Sequence, residues 1–473
     1  MLTVADILEA LGGIRSSRGN QVINDVVIDS REASRGSMFI ALPGEHHDGH
    51  DFISDAFQSG ASIALIHRSP HQEYRVLDLR SAISSTETVI PEFPFCILVE
   101  DSLQALHSIA RYWRKKISPR VIGITGSVGK STTKELVAEV IDQRYRTLKN
   151  PGNLNNEIGL PLTLLRLERG HQIAVLEMGF YVPGEIALLC DIAQPQIGVV
   201  TNIGTVHAER AGSQEAIARG KTELVESLPA APDGIAILNH DDPLVRPMAE
   251  KTRAQVFFYG LTAEADLWAD EVEGLGLDGI RFRLHYRNEI IHLQVPLIGR
   301  HSVHTVLRAS AVGLSLGLTW QEIVNGLRSG KAQLRLVAVR AHNDAVLLDD
   351  TYNASPSSTL AALNLLEEID GNKIAVLGDM LELGQYEWRG HEMVGVRAAE
   401  VADELITVGE RAYLIADAAL RAGFREERVT QLADSQQAVD YLLPRLQSDD
   451  VVLVKGSRGM RMDYIVAALE QRK

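Results

Sequence analysis

Cysteine is scarce in this chain: Cys96 and Cys190 are the two in 473 residues, far apart and without CxxC spacing. Neither a disulfide framework nor a zinc ribbon can be built from such a pair, so a reducing, cytoplasmic setting is expected. Long apolar runs are also missing. No stretch of about 18 apolar residues occurs, so no membrane-spanning segment is expected, and residues 1–13 lack the basic start and apolar core of a signal peptide. Positive charge is in deficit, with 47 Lys plus Arg against 62 Asp plus Glu and a net charge of −15. That balance repels a phosphate backbone and disfavours nucleic acid as a partner. No repeat of fixed period is visible, which excludes solenoids and propellers.

What is present is ordinary globular usage, 45% hydrophobic and 23% charged, in a chain long enough for two to four domains at roughly 100 to 200 residues each. Near the start, Val4, Ile7, Leu8 and Leu11 have helical spacing and end at Gly12-Gly13; Val26-Val27-Ile28 and Met38-Phe39-Ile40 read as short strands. Residues 81–94, rich in Ser, Thr, Glu and Pro, read as a loop or linker. From Val121 onward the pattern changes to apolar runs, at 121–124, 173–176 and 197–200, separated by amphipathic stretches. Such alternation predicts a parallel sheet covered on both faces. Alternation on either side of Arg287-Asn288-Glu289 predicts an antiparallel hairpin over 280–297. A second doubly wound series follows, with strands at 346–348, 374–377, 405–408 and 451–454. The expected fold is α/β in three domains: a small mixed α/β domain over 1–97, a central P-loop domain with a parallel sheet over 98–332, and a C-terminal Rossmann-like domain over 333–473.

The strongest local signal is Gly123-Ile124-Thr125-Gly126-Ser127-Val128-Gly129-Lys130-Ser131, between a predicted strand and a predicted helix. Glycines let backbone N–H groups turn toward anionic oxygens, the helix N-terminus adds partial positive charge, Lys130 can reach terminal phosphates and the Ser131 hydroxyl can ligate Mg²⁺. The strict pattern GxxxxGK[ST] needs glycine at 124, where this chain has isoleucine. Glu177, at the C-terminal end of a strand, is placed either as a Mg²⁺ carboxylate or as a solvated strand-end acid. His207 and Lys221 follow the next strand and read equally well as ordinary polar residues. Of Asp349-Asp350, adjacent at a strand end, one can face a ligand, and Asp350 is the choice. His46, His47 and His50 lack cysteine neighbours and are read as loop residues, not as a zinc site. Cys96 and Cys190 sit in apolar sequence and are expected to be buried and inert.

Taken together these segments resemble the Mur ligase family, whose loop T-G-[ST]-x-G-K-[ST] stands here as Thr125-Gly126-Ser127-Val128-Gly129-Lys130-Ser131. Asp349-Asp350-Thr351-Tyr352-Asn353-Ala354-Ser355-Pro356, Gly378-Asp379-Met380-Leu381-Glu382-Leu383-Gly384 and Lys455-Gly456-Ser457-Arg458 are similar to blocks of the branch that adds a dipeptide. Asp29-Ser30-Arg31 and Asp48-Gly49-His50 look like parts of the family's uridine-diphosphate-binding domain. The resemblance implies an enzyme, an ATP-dependent amide ligase joining D-alanyl-D-alanine to UDP-N-acetylmuramoyl-tripeptide in peptidoglycan synthesis. It implies ATP with two Mg²⁺ ions as cofactors, and action as a cytoplasmic monomer.

It also implies roles for residues. Thr125, Gly126, Ser127, Val128, Gly129, Lys130, Ser131, Thr132 and Asp350 would hold the nucleotide, with Arg335 as a hinge arginine near the γ-phosphate. Lys130, His207 and Lys221 would be catalytic, Lys221 through carbamylation. Ser131, Glu177, His207 and Lys221 would serve the metal. Ser30, Arg31, His50, Asn153, Asn155, Asn156, Tyr352, Asn353, Lys455, Ser457 and Arg458 would contact the two substrates. Two departures stand out. The GxHNxxN block appears as Gly299-Arg300-His301-Ser302-Val303-His304-Thr305, offering hydroxyls where the family has amides, and Leu334 replaces the glycine before Arg335. The competing readings are the family's third-residue-adding enzyme, a silent muropeptide-binding protein and a plain P-loop kinase. The absence of a DNPR-type block disfavours the first, and the presence of Lys130, Glu177 and Lys221 the second.

Overall fold

The computed structural model describes residues 1–13, 19–44, 47–70, 74–80, 90–206, 208–329 and 337–470. They form two compact units. The first comprises Met1–Gly123, Tyr145–Gly179 and Glu185–Gln196; the second comprises Ile124–Arg144, Phe180–Gly184 and Ile197–Lys473.

The first unit opens with the helix Val4–Gly12, as the spacing predicts. Thr3 and Asp6 close a capping box at its start, and Gly13, at φ 65°, closes its end in the left-handed conformation that glycine adopts without a Cβ penalty. Strands Val26–Val27, Met38–Ile40, Ile63–Ile66, Phe95–Leu98 and Arg75–Asp78 lie side by side in that order, all parallel. Phe39, Ala64, Ile66 and Cys96 pack with Ile53 and Ala56 of the following helix on one face of this sheet. The helix Ser102–Ile117 is anchored in the same unit, where Trp113 Nε1 donates to Leu167 C=O at 2.9 Å and Arg114 Nε to Ala193 C=O at 2.8 Å. Thr147–Lys149 pairs in parallel with Ile173–Glu177.

In the second unit, Ile197–Val200, Ile235–Asn239 and Gln255–Gly260 run parallel, and Leu267–Gly274 continues the sheet into the predicted hairpin. Its strands are Ile280–Tyr286 and Glu289–Val295, with Tyr286 opposite Glu289. The turn is therefore two residues, Arg287-Asn288, and Glu289 belongs to the strand; Arg287 has φ 53°, the positive value such tight hairpins demand. A six-stranded sheet follows in the order Val337–Arg340, Val346–Asp349, Asp450–Lys455, Asn372–Gly378, Glu404–Val408, Val429–Leu432. All pairings are parallel except the first. Leu348, Ala375, Leu405 and Leu453 pack on one face and Leu347, Val376, Ile406 and Val452 on the other. Both faces are covered, which is why these strands read as continuous apolar runs. The last strand in sequence sits between the first two parallel strands of the series, so Asp350 and Lys455 leave the sheet as neighbours at its carboxyl edge. Residues 81–89, part of the expected linker, lie outside the described residues.

Candidate nucleotide-binding cavity

The phosphate loop sits between the strand Arg120–Thr125 and the helix Lys130–Ile141. Gly126 and Gly129 have φ of 142° and 83°, a region L side chains rarely enter. A Cβ on Gly126 would also overlap Thr201 Oγ1. The middle of the loop is clasped: Asn202 Oδ1 accepts the Val128 N–H at 3.0 Å, and Val128 C=O accepts from Asn202 Nδ2 at 3.0 Å and from Thr201 Oγ1 at 2.7 Å. Ser127 N–H donates to Asn202 C=O at 2.9 Å, and its Oγ accepts the Gly204 N–H at 2.8 Å. Lys130 Nζ donates to Gly126 C=O at 2.9 Å and Ser127 C=O at 3.2 Å, which keeps the ammonium over the loop at the helix N-terminus. The Ser127 and Val128 N–H groups are spent on Asn202, so the helix end and the ammonium are what make this an anion site.

The loop lines a cavity of about 500 Å³. Ser127 to Thr132 form one part of its wall, and Asp350, Tyr352, Asn353 and Lys455 another. Thr125, fully buried, and Gly126, against Thr201, lie outside this lining. Lys455 Nζ donates to Asp350 Oδ2 at 2.6 Å and to Asn353 C=O at 2.8 Å. Asp349 instead accepts from Thr351 N–H and Oγ1, closing the local turn, so the two adjacent acids do face differently.

The third part of the wall comes from the helix Val303–Ser315 and the turn before it: His301, Ser302, His304, Thr305 and Arg308. His304 Nε2 is 3.0 Å from Asp241 Oδ2. The His301 ring is open to the cavity, yet the protein packed around it, then His304 and the cations Arg308 and Lys455, push its basicity down to about 4. The two hydroxyls that replace amides are both engaged. Ser302 Oγ donates to Ile298 C=O at 2.7 Å, and Thr305 Oγ1 accepts from Arg308 at 2.8 Å.

Other expected site residues lie elsewhere. Ser457 is buried, its N–H donating to Asp379 C=O and its Oγ accepting the Leu381 N–H at 2.8 Å, so it braces a neighbouring loop outside the cavity lining. Arg458 is exposed, its guanidinium 6.0 Å from the Tyr352 ring centroid. Lys221, on the helix Gln214–Glu226, is 2% exposed, with its ammonium 4.6 Å from the Phe180 ring centroid. In the first unit, Glu177 is fully buried, and Asn155 Nδ2 donates to its Oε1 at 2.9 Å. This replaces the solvated strand-end reading of that acid. Asn156 Oδ1 accepts the Gly159 N–H at 2.9 Å at a helix start, and Asn153 is exposed. Ser30 is buried. Beside it the Arg31 guanidinium holds the Asp29 carboxyl down at about 2. His50 is 5% exposed, with Nδ1 2.7 Å from Asp48 Oδ1. Both cysteines are free and buried, and burial pushes the Cys96 thiol up to about 12. His207, Arg335 and Leu334 lie outside the described residues, as does His46.

Sequence reasoning missed Asn202, Asp242, His301 and Arg308 as cavity residues. One signal was available: Arg308 is the single charge in the helical run 303–315 apart from its histidine.

Three family models match the chain: "Mur ligase family, catalytic domain" over 22–114, "Mur ligase middle domain" over 124–313 and "Mur ligase, glutamate ligase domain" over 334–458. Among curated proteins, the UDP-N-acetylmuramoyl-tripeptide–D-alanyl-D-alanine ligase of Bacillus subtilis is 34% identical, covering 99% of this chain and 98% of its own. The Escherichia coli protein of the same name is 33% identical over the same shares. A crystal structure of MurF from Acinetobacter baumannii matches with a TM-score of 0.84 at 30% identity, covering 98% of both chains. The MurF ligase of Thermotoga maritima in complex with ADP matches with a TM-score of 0.77 at 28% identity, covering 94% of this chain and 96% of that one. Coverage from end to end, by sequence and by structure, places the chain in the Mur ligase family.

Proposed function

We propose that this chain is the ATP-dependent ligase that joins D-alanyl-D-alanine to UDP-N-acetylmuramoyl-tripeptide, giving the UDP-muramoyl-pentapeptide with ADP and phosphate. The observation that carries the reading is the cavity whose wall combines a phosphate loop with Asp350, Asn353 and Lys455. Full-length relatives bearing that ligase name support the choice of substrates.

A carboxylate resists attack by an amine, so it must first be activated. A tripeptide carboxylate oxygen attacks the γ-phosphorus of ATP, ADP leaves, and an acyl phosphate forms. The dipeptide amine then attacks the acyl carbon, loses a proton and expels phosphate. The first step brings negative charge onto negative charge. Lys130 and the helix end oppose that repulsion, and fixed donors of this kind act most strongly where water is excluded. Lys455, held by Asp350 and Asn353, adds a second positioned cation in the same cavity.

The family implies Mg²⁺. Ser131, at the helix start, and Glu177, buried with one oxygen held by Asn155, are hard oxygen donors and fit that ion. His207 and a carbamylated Lys221 are the other proposed ligands. When bound, Mg²⁺ draws charge from phosphate oxygens. We assign Ser30, Arg31 and His50 to the UDP end of the muropeptide and Asn153, Asn155 and Asn156 to its peptide side, with Tyr352, Asn353, Ser457 and Arg458 toward the dipeptide. We assign three functional domains, divided near 97 and 332; the family models match over 22–114, 124–313 and 334–458, the first of them running past 97. No described helix is long and apolar enough to cross a membrane, and two buried thiols suit a reducing cytoplasm.

The test is phosphate release together with product mass. Release should require ATP, UDP-muramoyl-tripeptide and D-alanyl-D-alanine together, and the new species should weigh as the pentapeptide. Amide formation without nucleotide, or phosphorylation with no phosphate released, overturns the assignment and in the second case favours a kinase.

A further inference from the structure

Apart from His304, Arg308 is the one residue with a charged side chain in the helix Val303–Ser315. It is 4% exposed. NH2 donates to Thr305 Oγ1 at 2.8 Å and NH1 to Tyr259 Oη at 3.4 Å, while Nε is buried with no partner. Both partners are neutral hydroxyls, and among the described residues no carboxylate forms an ion pair with the guanidinium. The nearby acids are already engaged: Asp241 with His304 and the Leu261 N–H, and Asp242 with the N–H groups of Ile203 and Leu244. A cation taken out of water without a counter-charge is costly.

Two further observations say where the missing counter-charge belongs. Arg308 lines the cavity, and its NH2 lies 3.3 Å from the point where a side chain on Gly129 would begin, so the guanidinium borders the last residue of the phosphate loop before Lys130. It is also wired to that loop. Tyr259 Oη, which accepts from Arg308, donates to Thr201 C=O at 3.1 Å, and Thr201 Oγ1 in turn holds Val128. Meanwhile the hydroxyls at 302 and 305, where the family pattern has amides, are occupied within the protein.

We propose that Arg308 is a nucleotide-binding residue whose guanidinium, beside Lys130, binds the polyphosphate of the nucleotide. The inference rests on the assignment of the loop to ATP and adds a residue and a binding mode to it. NH2 borders Gly129 and carries a second N–H beyond the one given to Thr305, and a planar fork suits phosphate oxygens better than a point charge does.

The test measures binding by calorimetry, in the presence of Mg²⁺, for ADP, inorganic tripolyphosphate and UDP-muramoyl-tripeptide on wild type, Arg308→Gln and Arg308→Lys. Arg308→Gln should weaken ADP and tripolyphosphate by a similar factor of about 10 or more, Arg308→Lys should recover part of the loss, and the muropeptide affinity should not change. Unchanged ADP and tripolyphosphate affinities overturn the proposal. So does loss confined to ADP, which marks a base or ribose contact. Equal loss for all three ligands with a lowered melting temperature in both variants also overturns it, by showing a purely structural role. Wild type that binds neither ADP nor tripolyphosphate defeats the nucleotide assignment itself, a result distinct from the other three.

Discussion

Lys455 Nζ sits 2.6 Å from Asp350 Oδ2, with the lysine side chain 1% exposed and the aspartate 15%. Breaking so buried a pair by removing one partner costs about 3 to 5 kcal/mol. Lys455→Met and Asp350→Asn should each lower the melting temperature. Lys455→Met/Asp350→Asn should regain most of it while turnover stays lost, as the proposed role of both charges in the reaction requires. Thermal unfolding and phosphate release on the same samples check both halves.

Lys130→Ala should abolish phosphate release while UDP-muramoyl-tripeptide still binds. The ammonium donates to the carbonyls of its own loop at 126 and 127, so the change removes charge from the proposed nucleotide cradle. Titration of each ligand separately distinguishes this from a collapse of both sites.

Asn202→Ala deletes both amide contacts to Val128. A loss of about 1 to 2 kcal/mol in stability is expected from two such bonds, with a weaker ADP affinity because the loop loosens. Gly126→Ala should be more severe, since its Cβ meets Thr201 Oγ1 at a φ of 142°. Gly126→Ala/Thr201→Ala should not recover ADP binding, because the residue 201 Cβ and N stay 2.9 and 3.1 Å from the new methyl and the bond to Val128 C=O is lost; calorimetry measures each variant.

His391 is fully buried, with Nδ1 2.7 Å from Glu387 C=O and Nε2 accepting the Met380 N–H at 3.1 Å. Burial lowers its basicity below 6.5, a shift that Arg411 reinforces and that Glu387 and Asp379 oppose. The native state therefore binds this proton less readily than the unfolded chain. The stability linked to neutral His391 is fully present above about pH 6.5 and falls as pH drops toward the lowered folded value. Denaturant melts between pH 7.5 and 5 should show that fall, and His391→Gln, which keeps an acceptor but cannot titrate, should make it shallower, with His301, also depressed, supplying part of what remains.

The sequence showed the parts whose cause is local. Strands at 374–377 and 451–454 are visible as apolar runs because helices cover both faces of their sheet. The loop at 125–131 is visible because its glycines and lysine are needed in consecutive positions. Asp350 follows from the alternation of a strand end. Tyr259 reaching Thr201 across 58 residues, and Arg308 bordering Gly129, depend on how elements pack, and no spacing rule connects them. Ser302 shows the opposite failure. Its hydroxyl looked available for a ligand, but the turn through Gly299 returns it to Ile298 C=O.

Gripped by Thr201 and Asn202, the Val128 peptide group is already fixed in the loop proposed to seat the nucleotide. Arrival of ADP or ATP then freezes little chain motion, and the measured affinity reports the bonds to the phosphates themselves, with small entropic losses from ordering. Substitutions around this seat that leave the Val128 clasp intact can therefore be ranked directly by the strength with which each holds the nucleotide.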